Sequence, residues 1–128
     1  RSEAVVTTWD LAGSRRLVLL CNGDSCTDRG GDAVTVALRR ALRDAGLDPV
    51  VHTARTRCLG RCDDGCTVVV QPDQTWYRGV TPELARRIVA EHLVADRPVT
   101  AAVSWCAAPD GALVQIGGVP GGTPKPTA

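Results

Sequence analysis

The apolar positions in the first half of the chain follow a strand, helix, strand pattern. Leu17–Leu20 is a continuous apolar run, typical of a buried strand, and Val50–Ala54 is a second short run after an Asp-Pro turn. Between them, apolar residues from Val34 to Ala45 recur at helical spacing, which predicts an amphipathic helix. We expect Asp32 to cap the start of this helix and Gly46 to follow its end. Short links between these elements predict a βαβ unit with parallel strands.

The second half of the pattern predicts two strands and a helix. Thr67–Gln71 and Thr75–Val80 flank a Pro-Asp-Gln turn, which is typical of an antiparallel hairpin. The tripeptide Thr81-Pro82-Glu83 marks a helix start with a capping hydroxyl, a proline and an acid. The predicted buried stripe of this helix consists of Leu84, Ala85, Ile88, Val89 and Leu93, and Pro98 should end it. The chain therefore predicts an α/β fold in the order βαβ, then ββα.

The two ends of the chain carry weaker patterns. Ala4–Thr8 predicts a short strand, and residues 100–116 predict an extra hairpin around a Pro-Asp-Gly turn. Residues 117–128 are rich in Gly and Pro, which predicts a flexible tail. We expect one domain over residues 1–99, with its core at 17–99, followed by a C-terminal appendage.

Length and charge exclude several classes of function. The 128-residue chain has a formal net charge of +1, so no bulk field favours nucleic acid. No apolar run approaches the ~18 residues that a membrane span needs, and no secretory signal is visible. We therefore expect a cytoplasmic protein with neither a nucleic-acid nor a membrane partner.

Four of the six cysteines form two spaced pairs. Cys21 and Cys26 follow the first predicted strand at C-x4-C spacing, and Cys58 and Cys62 follow the second at C-x3-C spacing. Neighbouring parallel strands end at the same sheet edge, so both pairs can converge there. Four thiolates, two per iron, are what a [2Fe–2S] cluster requires. We expect glycines between the cysteines, Gly23 and Gly60, to allow positive φ and to direct backbone N–H groups at sulfur.

Spacing argues against several competing sites. A plant-type cluster needs a cysteine at position 29, which is Arg29, and a Rieske centre needs two histidines in its ligand loops. His52 and His92 instead fall in a predicted strand and a predicted helix, where we expect structural roles. Zinc knuckles and thioredoxin-type enzymes usually have C-x2-C pairs. A metal-bearing or cluster-bearing interaction or regulatory module and a thiol–disulfide oxidoreductase stay open as alternatives.

These motifs resemble one known family. Its pattern is matched by Cys21 to Cys26 followed by Arg29-Gly30, by Cys58-Leu59-Gly60-Arg61-Cys62, by Val68-Val69-Val70, by Trp76-Tyr77, by Val80-Thr81-Pro82-Glu83 and by Glu91-His92-Leu93. The stretch from Cys21 to Val99 resembles the thioredoxin-like [2Fe–2S] ferredoxins, which include the small ferredoxin subunit of NADH dehydrogenases and hydrogenases. Where that family usually has Gly-Pro after the fourth cysteine, this chain has Gly65-Cys66.

The resemblance implies a thioredoxin-like fold and one-electron transfer between a reductase and an acceptor enzyme. It implies a [2Fe–2S] cluster with Cys21, Cys26, Cys58 and Cys62 as iron ligands, and often a homodimer. The chain also lacks an acid, base or nucleophile set for catalysis, which favours an electron carrier over an enzyme.

The remaining cysteines and the charged residues near the pairs have simpler interpretations. Cys66 and Cys106 lie beside apolar residues, so we expect inert buried thiols. The cysteine loops are interleaved with Arg29, Arg55, Arg57, Arg61, Asp24, Asp28, Asp63 and Asp64. This ring is either a rim that docks a redox partner or a solvated surface of mixed charge.

Overall fold

A computed structural model describes residues 8–118 and 120–126 of the chain. The strands are β1 (Arg16–Cys21), β2 (Val51–Thr56), β3 (Val68–Gln71), β4 (Thr75–Tyr77), β5 (Val103–Ala107) and β6 (Leu113–Gln115). The helices are α1 (Asp24–Asp28), α2 (Gly31–Asp44) and α3 (Pro82–Arg87), and α3 continues as a π-helix over Ile88–Val94. Within the described residues, each helix is too short or too polar to cross a bilayer.

All six strands form one sheet in the order β2-β1-β3-β4-β5-β6. Strands β1 and β2 are parallel and the other neighbouring pairs are antiparallel, which confirms the predicted βαβ unit and the hairpin that follows it. Because β1 and β2 run in the same direction, the chain leaves both strands at one edge of the sheet. Cys21 lies opposite Thr56 in this register, so the two cysteine loops begin side by side.

The hydrophobic core lies between one face of the sheet and the helices. Alternation along β1 directs Val18 and Leu20 to that face, where both are buried. The helices contribute Val34, Leu38, Leu42, Ala85, Ile88 and Val89 to the same cluster. Burial of each large aliphatic side chain stabilises the fold by roughly 1.5–3 kcal/mol.

The other face of the sheet, opposite α2 and α3, carries a second apolar row. Cross-strand partners in this outer row are Ala54, Leu19, Val69, Trp76, Trp105 and Gln115, one from each strand in sheet order. Leu17 lies on the same face and is 36% exposed. The indole nitrogens of Trp76 and Trp105 are buried without a hydrogen-bond partner among the described residues.

The helix boundaries confirm two of the sequence predictions. Thr81 caps α3, because its hydroxyl accepts a hydrogen bond from the Leu84 amide at 3.1 Å, with Pro82 in the first turn. Gly46 follows the C-cap of α2 with φ +70°, a conformation that glycine adopts without strain.

Two predicted boundaries were wrong. Asp32 does not cap α2: Gly30 takes that position with φ +95°, and Asp32 lies in the first turn. Glycine is favoured there because α1 ends only two residues earlier, at Asp28, and the chain must turn sharply. The segment after Cys21 contains α1, which the hydrophobic pattern does not predict. The last helix ends at Val94, before Pro98, since Asp96 adopts a positive φ of +56°.

The C-terminal elements extend the main sheet. Strands β5 and β6 occupy the stretch at which the sequence predicts an extra hairpin, and β5 pairs with β4. Apart from Thr8, the predicted strand Ala4–Thr8 lies outside the described residues. The division into a domain over residues 1–99 and an appendage stays a prediction.

Candidate metal centre

The first cysteine pair is buried. Cys21 is the last residue of β1 and Cys26 lies in α1, and their exposed fractions are 5% and 2%. Burial and the neighbouring Cys21 together raise the pKa of the Cys26 thiol to about 11, although the Thr67 backbone N–H, a hydrogen-bond donor to this sulfur, acts in the opposite direction. Cys26 therefore keeps its proton at neutral pH until a cation replaces it.

The second cysteine pair is exposed on a short loop after β2. The Sγ atoms of Cys58 and Cys62 lie 3.3 Å apart, and the Gly60 amide donates to Cys58 Sγ at 3.2 Å. Gly60 has φ +87°, as its predicted role requires. The Gly60 donor and the Cys62 thiol lower the pKa of Cys58, while the hydrogen bond with Cys58 raises the pKa of Cys62. The pair therefore ionises first at Cys58.

The two pairs meet at one edge of the sheet. The Cys21 thiol donates to the carbonyl of Arg57, the residue before Cys58, at 3.4 Å. A Cβ atom at Gly23 would lie 2.8 Å from the Cys58 amide nitrogen, and one at Gly65 would lie 2.9 Å from Cys26 Sγ. Glycine at both positions thus lets the two loops approach each other closely. The expectation of positive φ at Gly23 was wrong, since its φ is −65°. The close approach of Cys58 is what requires glycine at this position.

The donor set fits an iron–sulfur cluster by its chemistry. All six cysteines are free thiols, so no disulfide occupies the sulfurs. The thiols are arranged as two pairs, and no group of three or more His, Cys, Asp or Glu side chains within the described ranges is arranged to hold a single metal ion. Paired thiolates from two loops are the ligands that a diiron cluster takes, two for each iron.

Known proteins are similar to this chain in sequence and in fold, although no protein-family model matches it. A protein of Priestia megaterium named as a 2Fe-2S ferredoxin is 49% identical over 88 residues, which are 69% of this chain and 68% of that protein. A 2Fe-2S ferredoxin of Aquifex aeolicus is 37% identical over 76 residues, 59% of this chain and 68% of the relative. The chain belongs to the 2Fe-2S ferredoxins.

Fold comparison agrees with this membership. A solved structure of the thioredoxin-like [2Fe-2S] ferredoxin of Aquifex aeolicus superposes with a TM-score of 0.71 and 30% sequence identity. It covers 77% of this chain and 98% of that one, which confirms the predicted thioredoxin-like fold. Ferredoxins are electron-transfer proteins rather than enzymes, so membership decides against the thiol–disulfide oxidoreductase alternative.

The two further cysteines of this ferredoxin differ in burial. Cys66 is 3% exposed, and its thiol donates to the carbonyl oxygens of Cys26 at 3.3 Å and Arg29 at 3.5 Å. Burial and the nearby Cys21 raise its pKa, so Cys66 is a protonated thiol packed against the first pair. Cys106 lies on β5 and is only half-buried, contrary to the expectation of a buried thiol.

The charged ring around the cysteines is partly tied to the backbone. Arg29 donates to the Cys62 carbonyl at 2.8 Å and so links α1 to the second loop. Arg61 forms an ion pair with Asp64 at 2.6 Å, and the Asp64 side chain is 1% exposed. Arg57 is exposed. Arg29 and Arg61 are therefore bonded within the protein, whereas Arg57 is exposed to solvent.

A polar network at the opposite edge of the sheet was missed from the sequence. His92 is 1% exposed, and its Nε2 donates to Asp73 Oδ2 at 2.8 Å. Its Nδ1 accepts from the Tyr77 hydroxyl at 2.8 Å, because that hydroxyl oxygen already accepts from the Val99 amide at 3.0 Å. Arg16 pairs with Asp73 at 3.2 Å. Only the structural role of His92 was expected, because residues separated this far in the chain show no spacing pattern.

Proposed function

We propose that this ferredoxin is a one-electron carrier whose single [2Fe–2S] cluster is held by Cys21, Cys26, Cys58 and Cys62. The observation that carries the proposal is the meeting of a buried and an exposed thiol pair at one sheet edge, with Cys21 Sγ 3.4 Å from the Arg57 carbonyl oxygen. When bound, the cluster takes up and releases one electron.

The residues around the four sulfurs suit this role. Backbone N–H groups of Gly60 and Thr67 hydrogen bond to Cys58 and Cys26, which stabilises negative charge on sulfur. Glycine at position 65 leaves room beside the Cys26 sulfur. The buried pair faces the core and the exposed pair faces solvent, so an electron enters and leaves on the side of Cys58 and Cys62.

Redox proteins are the partners that such a carrier needs. A reductase supplies the electron and an acceptor enzyme receives it, both docking beside the exposed pair. Arg57 and Asp63 flank that pair and offer both signs of charge to a partner surface. We place the protein in the cytoplasm, which agrees with six free cysteines in a chain of this size.

A homodimer completes the proposal. Its support is the apolar outer row on the sheet face opposite the helices, which contains Leu19, Trp76 and Trp105, with Leu17 beside it. A second copy would cover apolar area that a monomer leaves partly in water. Analytical ultracentrifugation tests this pairing: Leu17→Lys should shift the protein toward monomer, whereas Val36→Lys on α2 should not. A wild-type monomer at tens of micromolar would contradict it.

The ligand assignment is tested on anaerobically prepared protein. We expect equal iron and labile sulfide, and an EPR signal after dithionite reduction. Ser substituted at Cys21, Cys26, Cys58 or Cys62 should perturb or abolish that signal, because an alcohol is a poorer ligand for iron than a thiolate. Cys106→Ser is the matched control and should leave the signal intact. Cluster loss in the Cys106 variant would show that the ligand set is wrong.

A further inference from the structure

We propose that Arg61 is a positioning residue that ties the Cys58–Cys62 loop to a C-terminal strap, defined here as residues 115–118 and 120–122. Through this tie the strap holds the loop that carries the exposed thiol pair. The inference rests on the proposed function, because it matters only where that loop carries cluster ligands. It adds a role for a part of the chain that the ligand motifs do not include.

Arg61 lies inside the loop, and three groups fix its side chain. Its guanidinium pairs with Asp64 Oδ2 at 2.6 Å, donates to the Gly121 carbonyl oxygen at 2.7 Å, and stacks 5.3 Å from the centroid of the Trp105 ring. Only 17% of the Arg61 side chain is exposed. Because the Asp64 side chain is almost fully buried, this ion pair is shielded from solvent. Arg61 is therefore held in one place.

The strap is itself folded onto this ion pair. Gln115 donates to the Gly117 carbonyl oxygen at 3.1 Å and accepts from the Gly121 amide at 2.9 Å, so one side chain closes the strap into a loop. A Cβ atom at Gly118 would lie 2.7 Å from Asp64 Oδ1, and one at Gly122 would lie 3.1 Å from an Arg61 nitrogen. Glycine lets the strap backbone lie directly against the charged pair.

These contacts act on the exposed thiols through a short path. Arg61 is bonded to Cys62, and its carbonyl accepts from the Asp64 amide at 2.9 Å while the Cys62 carbonyl accepts from the Gly65 amide at 3.2 Å. Gly60, the residue before Arg61, donates to Cys58 Sγ. A guanidinium fixed by the strap therefore fixes the backbone that sets both sulfur positions.

The test uses full-length variants and two measurements. The first is hydrogen exchange of the Gly121 and Gly60 amides in the cluster-free chain. The second is the rate of iron release from the loaded protein to a chelator. Arg61→Gln removes a charge-assisted hydrogen bond to Gly121 and Gln115→Ala removes a neutral one, and each should accelerate both processes by about tenfold. Arg43→Gln, an exposed arginine on α2, is the matched control and should change neither.

Two further variants separate position from charge. Arg61→Lys keeps the charge but loses the planar fork and the stacking on Trp105, so it should release iron as fast as Arg61→Gln. The double variant Arg61→Gln with Gln115→Ala should release iron no faster than the faster single variant, because both substitutions break the same tie between the loop and the strap. Gln115→Ala leaves the Arg61–Asp64 pair intact, so the test does not depend on a destabilised fold.

Three results would overturn the inference. Unchanged exchange at Gly121 in Arg61→Gln would show that the strap is not tied through Arg61. Full rescue by Arg61→Lys would show a charge effect without positioning. Additive acceleration in the double variant would show two independent contacts. Failure of the proposed function is distinguishable, since wild type would then contain no iron while the exchange data on the cluster-free chain still decide the tie.

Discussion

The two ends of β1 are stabilised in opposite ways. At its start, Arg16 contacts Asp73, which begins a hydrogen-bonded series through His92 to Tyr77. Each buried polar atom of that series has a partner of complementary type. At its end, Cys21 and the other three predicted ligands contact one another and backbone groups, and two of them are exposed.

The two ends differ in whether folding alone fixes the arrangement of their side chains or a bound ligand is needed to fix it. Nitrogen and oxygen groups in the Asp73 network form strong hydrogen bonds, so folding alone gives that end one arrangement. Thiols are weak donors and acceptors and gain little from one another. Their loops approach closely through Gly23 and Gly65, but four ionised sulfurs stay together only when a cation lies between them. The polar end is complete in the protein alone, whereas the sulfur end, under the proposed function, is completed by a cluster.

Iron removal should have an effect that is confined to the sulfur end. Chelation under reducing conditions should lower exchange protection at the Gly60 amide by about tenfold or more, equivalent to about 1.4 kcal/mol, because its acceptor Cys58 Sγ becomes mobile. The Val99 amide, which donates to Tyr77, should keep its protection. Equal losses of exchange protection at the Gly60 and Val99 amides would contradict the difference between the two ends.

Tyr77→Phe should affect the opposite end. The variant leaves the Val99 amide and His92 Nδ1 without their partner in the core, which costs about 1–3 kcal/mol of unfolding free energy. The measurement is denaturant unfolding of the loaded protein. The EPR signal of the reduced cluster is the internal control and should be unchanged. An altered signal with unaltered stability would contradict the separation of the two ends.

Asp73→Asn sharpens the comparison through pH. Burial alone would raise the pKa of Asp73, but hydrogen bonds from His92 and Arg16 outweigh it and the pKa is lowered. A carboxyl whose pKa is lowered in the folded state stabilises the fold at pH values above the unfolded pKa of about 3.9. This stabilisation is lost as pH falls through the folded pKa. The unfolding free energy of wild type should exceed that of Asp73→Asn by about 1 kcal/mol between pH 5 and 7.

Unfolding free energies measured at a series of pH values from 7 downward check that sign. The difference between wild type and Asp73→Asn should begin to shrink below about pH 4, where the carboxyl of the unfolded wild type takes up a proton, and should be lost once pH falls below the lowered pKa of the folded state. A difference that grows in acid would mean that Asp73 is destabilised rather than stabilised in the fold.

The smallest effect is expected at Thr81, the cap of the helix that leads to His92. Thr81→Ala removes the acceptor for the Leu84 amide and should lower unfolding free energy by about 1 kcal/mol. Thr81→Ser keeps the hydroxyl and is the matched control. Iron content should be equal in both variants, since the cap is remote from the thiols. A variant of Thr81 that loses iron would show that the last helix also supports the sulfur end.

Much of the fold could be predicted because its signals are local. The apolar run before Cys21, the stripe of α2, and the cap at Thr81 each depend on residues within a few positions of one another. The N-terminus of α2 could not, because a glycine with positive φ is preferred at Gly30 only once α1 is folded before it. The sheet position of β5 depends on pairing with β4, which local pattern does not encode.

The sequence by itself determined which cysteines stand in pairs and which strands end beside them, since spacing and hydrophobic period are read along the chain. Tertiary structure alone decided that one pair is buried and the other exposed. It also decided the partners of Arg61 and His92, which bond to residues 60 and 19 positions away. Such contacts depend on how strands and loops pack in three dimensions, and side-chain chemistry at one position cannot specify a partner so distant in the chain.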